Sequence, residues 1–151
     1  MTPHNMLIGE AGKHRVAAEL LLRGINVYFP AADSGVDLYT DNGLAIQVKA
    51  ATKNCKGSYY FSFKSWHRRK GTAKQLPRLH GSVTHAVLWG ITDDVFWVVP
   101  SAVILQGAEG ITTSKASLAI AKQFHSTRAG RIEPYRNAWD SLTVQQIGGA
   151  D

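Results

Sequence analysis

The chain has 151 residues, of which 44% are hydrophobic, enough for one domain with a real core and too few for two ordinary ones. No run of 18 or more apolar residues occurs, residues 1–8 lack the pattern of a signal peptide, and the single cysteine, Cys55, excludes an internal disulfide and any multi-cysteine zinc site. These features predict a cytoplasmic protein without a membrane segment, one domain over residues 1–147 and a fraying tail at 148–151, with Cys55 as a small, partly buried apolar side chain.

Residues 3–23 read as the first helix, capped by Thr2, with Pro3 in its first turn and Gly24 ending it. Val16, Ala17, Leu20 and Leu21 supply the buried stripe; Glu10 falls at its edge and Glu19 points to water. His14, one turn beyond Glu10, reads as an ordinary partly buried histidine. Residues 25–29 form a short strand closed by Pro30, and Asp33 and Ser34 precede Gly35 in a turn.

Two further strands, 36–40 and 44–50, are joined through Asp41-Asn42-Gly43. A two-residue Asn-Gly loop would mix polar and apolar side chains on each face. A three-residue loop, with Gly43 left-handed in a bulge, pairs Leu38 with Ile46 and Asp37 with Gln47. Val36, Leu38, Leu44, Ile46 and Val48 then share the core face, and Asp37, Gln47 and Lys49 the other.

Downstream, residues 58–64 read as a strand with Tyr59, Phe61 and Phe63 on its core face. Residues 65–82 read as a basic loop or broken helix interrupted by Gly71, Pro77 and Gly81. Residues 85–89 and 95–99 predict a hairpin buried on both faces, and 114–125 and 134–142 have helical spacing. Trp89, Trp97 and Trp139 read as core. The sum is an α/β domain: a mixed sheet of about five or six strands flanked by helices.

Charge is unevenly placed. From Asp41 to Asp93 no acidic residue intervenes, yet nine of the seventeen Lys and Arg lie there: Lys49, Lys53, Lys56, Lys64, Arg68, Arg69, Lys70, Lys74 and Arg78. Such a block attracts a polyanion by counterion release. A solvated, solubilising face is the plain alternative.

Gly9-Glu10 on the first helix, Ser34-Gly35-Val36-Asp37, and Ile46-Gln47-Val48-Lys49 on the next strand resemble the PD-(D/E)XK nuclease superfamily. The helix Glu and the Ser-Gly before Asp37 are similar to archaeal-type Holliday junction resolvases; the Gln-X-Lys variant is similar to some homing endonucleases. The resemblance implies a restriction-endonuclease-like αβββαβ core and hydrolysis of DNA, double-stranded or branched, by a homodimer with Mg²⁺, for which Mn²⁺ can substitute. Phosphodiester cleavage requires a hard cation on oxygen ligands that acidifies a water. Asp37 offers a charged oxygen and Gln47 a neutral one on the same face; the Val48 carbonyl completes the ligands by resemblance, with Glu10 holding the metal directly or through water. Lys49, two residues along from Gln47, reaches the same side to orient water and offset charge on the phosphate. Ser34 is a candidate phosphate contact beside the basic block. Gln47 stands where the superfamily usually has a carboxylate, which weakens cation binding and keeps open a second reading: a nucleic-acid-binding protein that retains the nuclease fold without catalysis. An interaction domain for an acidic protein partner is a third.

Overall fold

In the computed structural model, residues 3–32, 34–53, 55, 57–69, 72–77, 81–104, 117–121 and 133–143 are described. Among these residues a helix, α1 (Pro3–Leu22), precedes nine strands, with a helical turn at 101–104 after the eighth: β1 (Val27–Tyr28), β2 (Leu38–Thr40), β3 (Ala45–Ala51), β4 (Ser58–Ser62), β5 (Lys64–Arg69), β6 (Thr72–Pro77), β7 (His85–Gly90), β8 (Val95–Pro100) and β9 (Ser117–Ala121). A five-stranded mixed sheet has the order β1-β2-β3-β7-β8; β3 and β7 run parallel and the remaining neighbours antiparallel. The α/β class expected from the sequence is therefore observed. Three strands, β4 to β6, lie in the connection from β3 to β7. No helix of the described residues is long and apolar enough to cross a membrane.

The β2–β3 hairpin takes the three-residue loop. Leu38 pairs with Ile46 and Tyr39 with Ala45, while Gly43 has φ +85° and its N–H donates to Thr40 O. Only the left-handed conformation closes this loop without shifting the register, which suits a residue with no Cβ. Side chains then alternate. Ile46 and Val48 join Val16, Ala17, Leu20 and Leu38 beneath α1, together with Val87, Phe96 and Val98 from β7 and β8. On the opposite face Ala86, Leu88, Trp97 and Val99 pack with Tyr59, Phe61 and Phe63. Strands β7 and β8 are thus buried on both faces, as their continuous apolar runs predict. Trp97 and Trp139 are core; Trp89 is half-buried and its Nε1 donates to Asp94 Oδ1.

Helix α1 lies close on β3 because Gly12 faces it. A Cβ at Gly12 would come 3.0 Å from Ala50 Cβ and 3.4 Å from a Val48 methyl. Its rotation is fixed by Arg15, whose Nη2 donates to Asp94 Oδ2 (2.9 Å) and whose guanidinium sits 4.9 Å from the centre of the Phe96 ring. The hydrogen bond to Asp94 raises the Arg15 pKa, and the same contact lowers that of Asp94.

Several expectations are corrected. Leu21 is exposed, and Gly12 takes its place in the buried stripe with Val16, Ala17 and Leu20. Glu19 does not face water freely: Arg15 and Arg23 both pair with it. Cys55 and His14 are exposed, the latter ring lying 5.1 Å from that of Phe29. Val36 leaves the α1 face to pack with Ala45 and Val83, because regular pairing begins only at Leu38 and the alternation does not extend back to Val36. The basic segment after β4 is an antiparallel hairpin, Lys64 opposite Pro77 and Arg69 opposite Thr72, with Pro77 at the end of its strand where the missing N–H costs nothing. Residues 117–121 form β9, not a helix: Tyr59 pairs with Ile120 and Phe61 with Leu118, so β4 gains a ladder that local spacing does not announce. The helix expected over 134–142 is two short 3₁₀ turns, Glu133–Tyr135 and Trp139–Leu142, because Asn137 adopts φ +52° and its N–H donates to Phe96 O. The expected tail, residues 148–151, lies outside the described residues.

Candidate active site at the edge of the third strand

The chain departs from regular pairing just before β2, and Asp37 stands at that departure. Its own N–H donates to Ile46 O (2.9 Å), and its Oδ2 accepts the N–H of Val48 (2.8 Å). A carboxylate thus occupies the place where the next backbone carbonyl of β2 would have continued the ladder. Because the N–H and C=O of one strand residue point to the same side, the Val48 carbonyl opens on this same edge.

Gln47 and Lys49 lie on the face of β3 away from α1. Lys49 sits with its Nζ 5.6 Å from the centre of the Phe63 ring, an apolar wall that confines the ammonium to this side of the sheet. Gln47 is half-buried, and its Oε1 is inaccessible to solvent with no hydrogen-bond partner. A buried acceptor without a donor costs about 1–3 kcal/mol, so the arrangement suits a positively charged occupant. The donor set is all oxygen: the Asp37 carboxylate, the Gln47 amide and the Val48 carbonyl. Hard divalent cations such as Mg²⁺ or Mn²⁺ prefer such donors, and the residues present fit one.

Glu10 approaches from α1, on the opposite side of the sheet edge. It is exposed and pairs with Lys13, whose Nζ lies 2.8 Å from Glu10 Oε1 and 3.7 Å from Asp37 Oδ1. The hydrogen bond and charge of Lys13 hold the Glu10 carboxyl below its usual pKa. Lys13 escaped the sequence reading, although its position three residues after Glu10 on one helix face was a usable signal. Beside these groups lies an open depression of about 340 Å³, lined by Glu10, Lys13, Phe29, Pro30, Ala31, Ala32, Val36 and Asp37.

The polyanion-binding candidates are scattered along the crossover. Ser34 is exposed next to Gly35. Lys53 is engaged: its Nζ lies 2.5 Å from Asp93 and 5.7 Å from the Tyr59 ring centre, and Tyr59 Oη also donates to Asp93. Lys64, Arg68 and Arg69 are carried on β5 and Lys74 on β6, one two-stranded ribbon. Lys56, Lys70 and Arg78, and Asp33 in the turn, lie outside the described residues. No group of three His, Cys, Asp or Glu able to hold a metal occurs among the described residues, which leaves the mixed Asp, Gln and carbonyl set as the candidate.

A mixed five-stranded sheet with a helix across one face, and an edge carboxylate beside a Gln-X-Lys strand, defines a mixed α/β fold. Among solved structures, the chain is similar to a bacterial homing endonuclease, I-Ssp6803I: TM-score 0.72 and 22% identity over 91% of this chain and 91% of that one. The two share a fold. No protein-family model matches the chain, and no curated protein matches it by sequence.

Proposed function

We propose that the chain is a metal-dependent DNA endonuclease of the PD-(D/E)XK kind. The observation that carries this reading is the edge of β3, where the Asp37 carboxylate is fixed on the N–H of Val48, the residue after Gln47, whose Oε1 is buried and unpartnered. Asp37, Gln47 and the Val48 carbonyl would hold Mg²⁺ or Mn²⁺, with Glu10 assisting from α1. Bound there, the cation supplies a polarised phosphate and a water acidic enough to attack it. Lys49 would orient that water and offset charge gathering on the phosphate, with the Phe63 ring limiting where its ammonium can go. The fold shared with a bacterial homing endonuclease supports DNA as the substrate of the proposed activity. A two-stranded ribbon is narrow enough to enter the major groove, and the β5–β6 hairpin would carry Lys64, Arg68, Arg69 and Lys74 to the duplex. Cutting both strands would take two copies of the site, hence a homodimer.

Cleavage of linear and four-way branched DNA with Mg²⁺ or Mn²⁺ tests the proposal. Lys49→Ala should abolish turnover and leave DNA binding near that of the parent. Undiminished cleavage by that variant would remove Lys49 from the chemistry. Tight binding without cutting by the unsubstituted protein, across both cations and both DNA forms, would instead make it a DNA-binding protein that keeps the nuclease fold.

A further inference from the structure

The ammonium of Lys13 stands where a cation has most to gain. On α1 it pairs with Glu10 of the same helix, Oε1 at 2.8 Å, and reaches Asp37 in the segment before β2, Oδ1 at 3.7 Å. Formally these two carboxylates carry two negative charges and Lys13 returns one. Gln47 adds none. A divalent cation at Asp37 therefore meets one more positive charge with Lys13 in place than without it. An ammonium and a dication cannot share one carboxylate without strong repulsion. Lys13 has somewhere to go: its side chain is 31% exposed and it forms part of the wall of the open depression beside Pro30 and Ala31.

We infer that Lys13 is a resident counter-ion of the Glu10–Asp37 pair that competes with the catalytic cation and sets how readily the site loads. The inference rests on the metal site proposed above and adds to it a residue that opposes loading instead of promoting it. In the cation-free protein Lys13 neutralises Asp37 and keeps the edge of β3 ordered; on loading it swings from Asp37 into the depression.

Calorimetric titration with Mn²⁺, without DNA, separates the possibilities. Lys13→Met keeps the length and packing of the side chain and removes its charge, and should tighten Mn²⁺ binding by roughly tenfold, the scale expected for one unit charge next to a partly solvated dication. Lys13→Arg keeps the charge and should bind Mn²⁺ like the parent. Circular dichroism and melting establish that both variants fold, and Lys13→Gln repeats the test should the methionine variant not. Unchanged or weaker binding in the neutral variants would overturn the inference, the weaker result making Lys13 a brace for the ligands. Failure of the parent itself to bind Mn²⁺ would overturn the metal site, and the inference with it. Measurable parent affinity with an indifferent Lys13 would sink the inference alone.

Discussion

Asp37 makes two contacts that substitution can separate. Its Oδ2 holds the Val48 N–H at 2.8 Å, a structural bond, while its negative charge is what a cation and Lys13 respond to. Asp37→Asn retains an oxygen able to accept the Val48 N–H and loses only the charge; Asp37→Ala loses both. Hydrogen bonds to a charged partner are worth about 1.5–3 kcal/mol and neutral ones about 0.5–1.5, so the asparagine variant should lose about 1 kcal/mol of stability. The alanine variant also orphans a part-buried N–H and should lose about 2 kcal/mol or more. For a chain of this size each kcal/mol moves the melting temperature by about 2–4 °C, which makes the two variants distinguishable by calorimetry or circular dichroism. Cleavage should fall equally in both. Removing several kcal/mol of transition-state stabilisation corresponds to a loss on the order of a thousandfold or more. Equal stability loss in the two variants would refute the account of the Val48 contact. An asparagine variant that cuts DNA at the parent's rate would refute the role assigned to the charge.

Further predictions address the other groups at the edge. Gln47→Glu adds a carboxylate where a neutral amide now stands, and should tighten Mn²⁺ binding measured by calorimetry; an unchanged titration would count against Gln47 as a ligand. Gly12→Leu forces a side chain where even a Cβ meets Ala50 Cβ at 3.0 Å, and overpacking of this sort costs about 1–3 kcal/mol. The melting temperature should drop, and an undisturbed one would mean that α1 does not rest on β3 at Gly12. Joint replacement of Arg68, Arg69 and Lys74 by alanine should flatten the dependence of DNA binding on salt, by about 0.9 in log–log slope for each phosphate contact removed. A slope that does not move would return the hairpin to a solvated surface.

The site was legible where it rests on period-two geometry and hidden where it rests on distance in the chain. Gln47 and Lys49 share a face because they are two apart on one strand, and the loop-length argument reached the observed pairing of Leu38 with Ile46; the expected pairing of Asp37 with Gln47 is not part of the ladder, because Asp37 bonds Ile46 O and the Val48 N–H instead. Strand β9 was misread because Leu118 and Ala121 satisfy a helical spacing over too short a stretch to discriminate, and its partner β4 lies more than fifty residues earlier. Hairpin β5–β6 is hidden in the sequence because Gly71 and Pro77 read as breakers, whereas Pro77 sits at a strand end. Lys13 illustrates the limit most directly. Its pairing with Glu10 follows from helix geometry alone, but its approach to Asp37 depends on how closely α1 lies on β3, hence on the missing Cβ of Gly12, and on the rotation that Arg15 fixes through Asp94, which is seventy-nine residues away. The consequence is functional. In the proposed site Gln47 contributes no charge, and the packing that brings Lys13 to Asp37 would further lower the negative charge that a cation meets. Cation affinity at the proposed site would then depend on how α1 is seated as well as on the residues that would touch the ion.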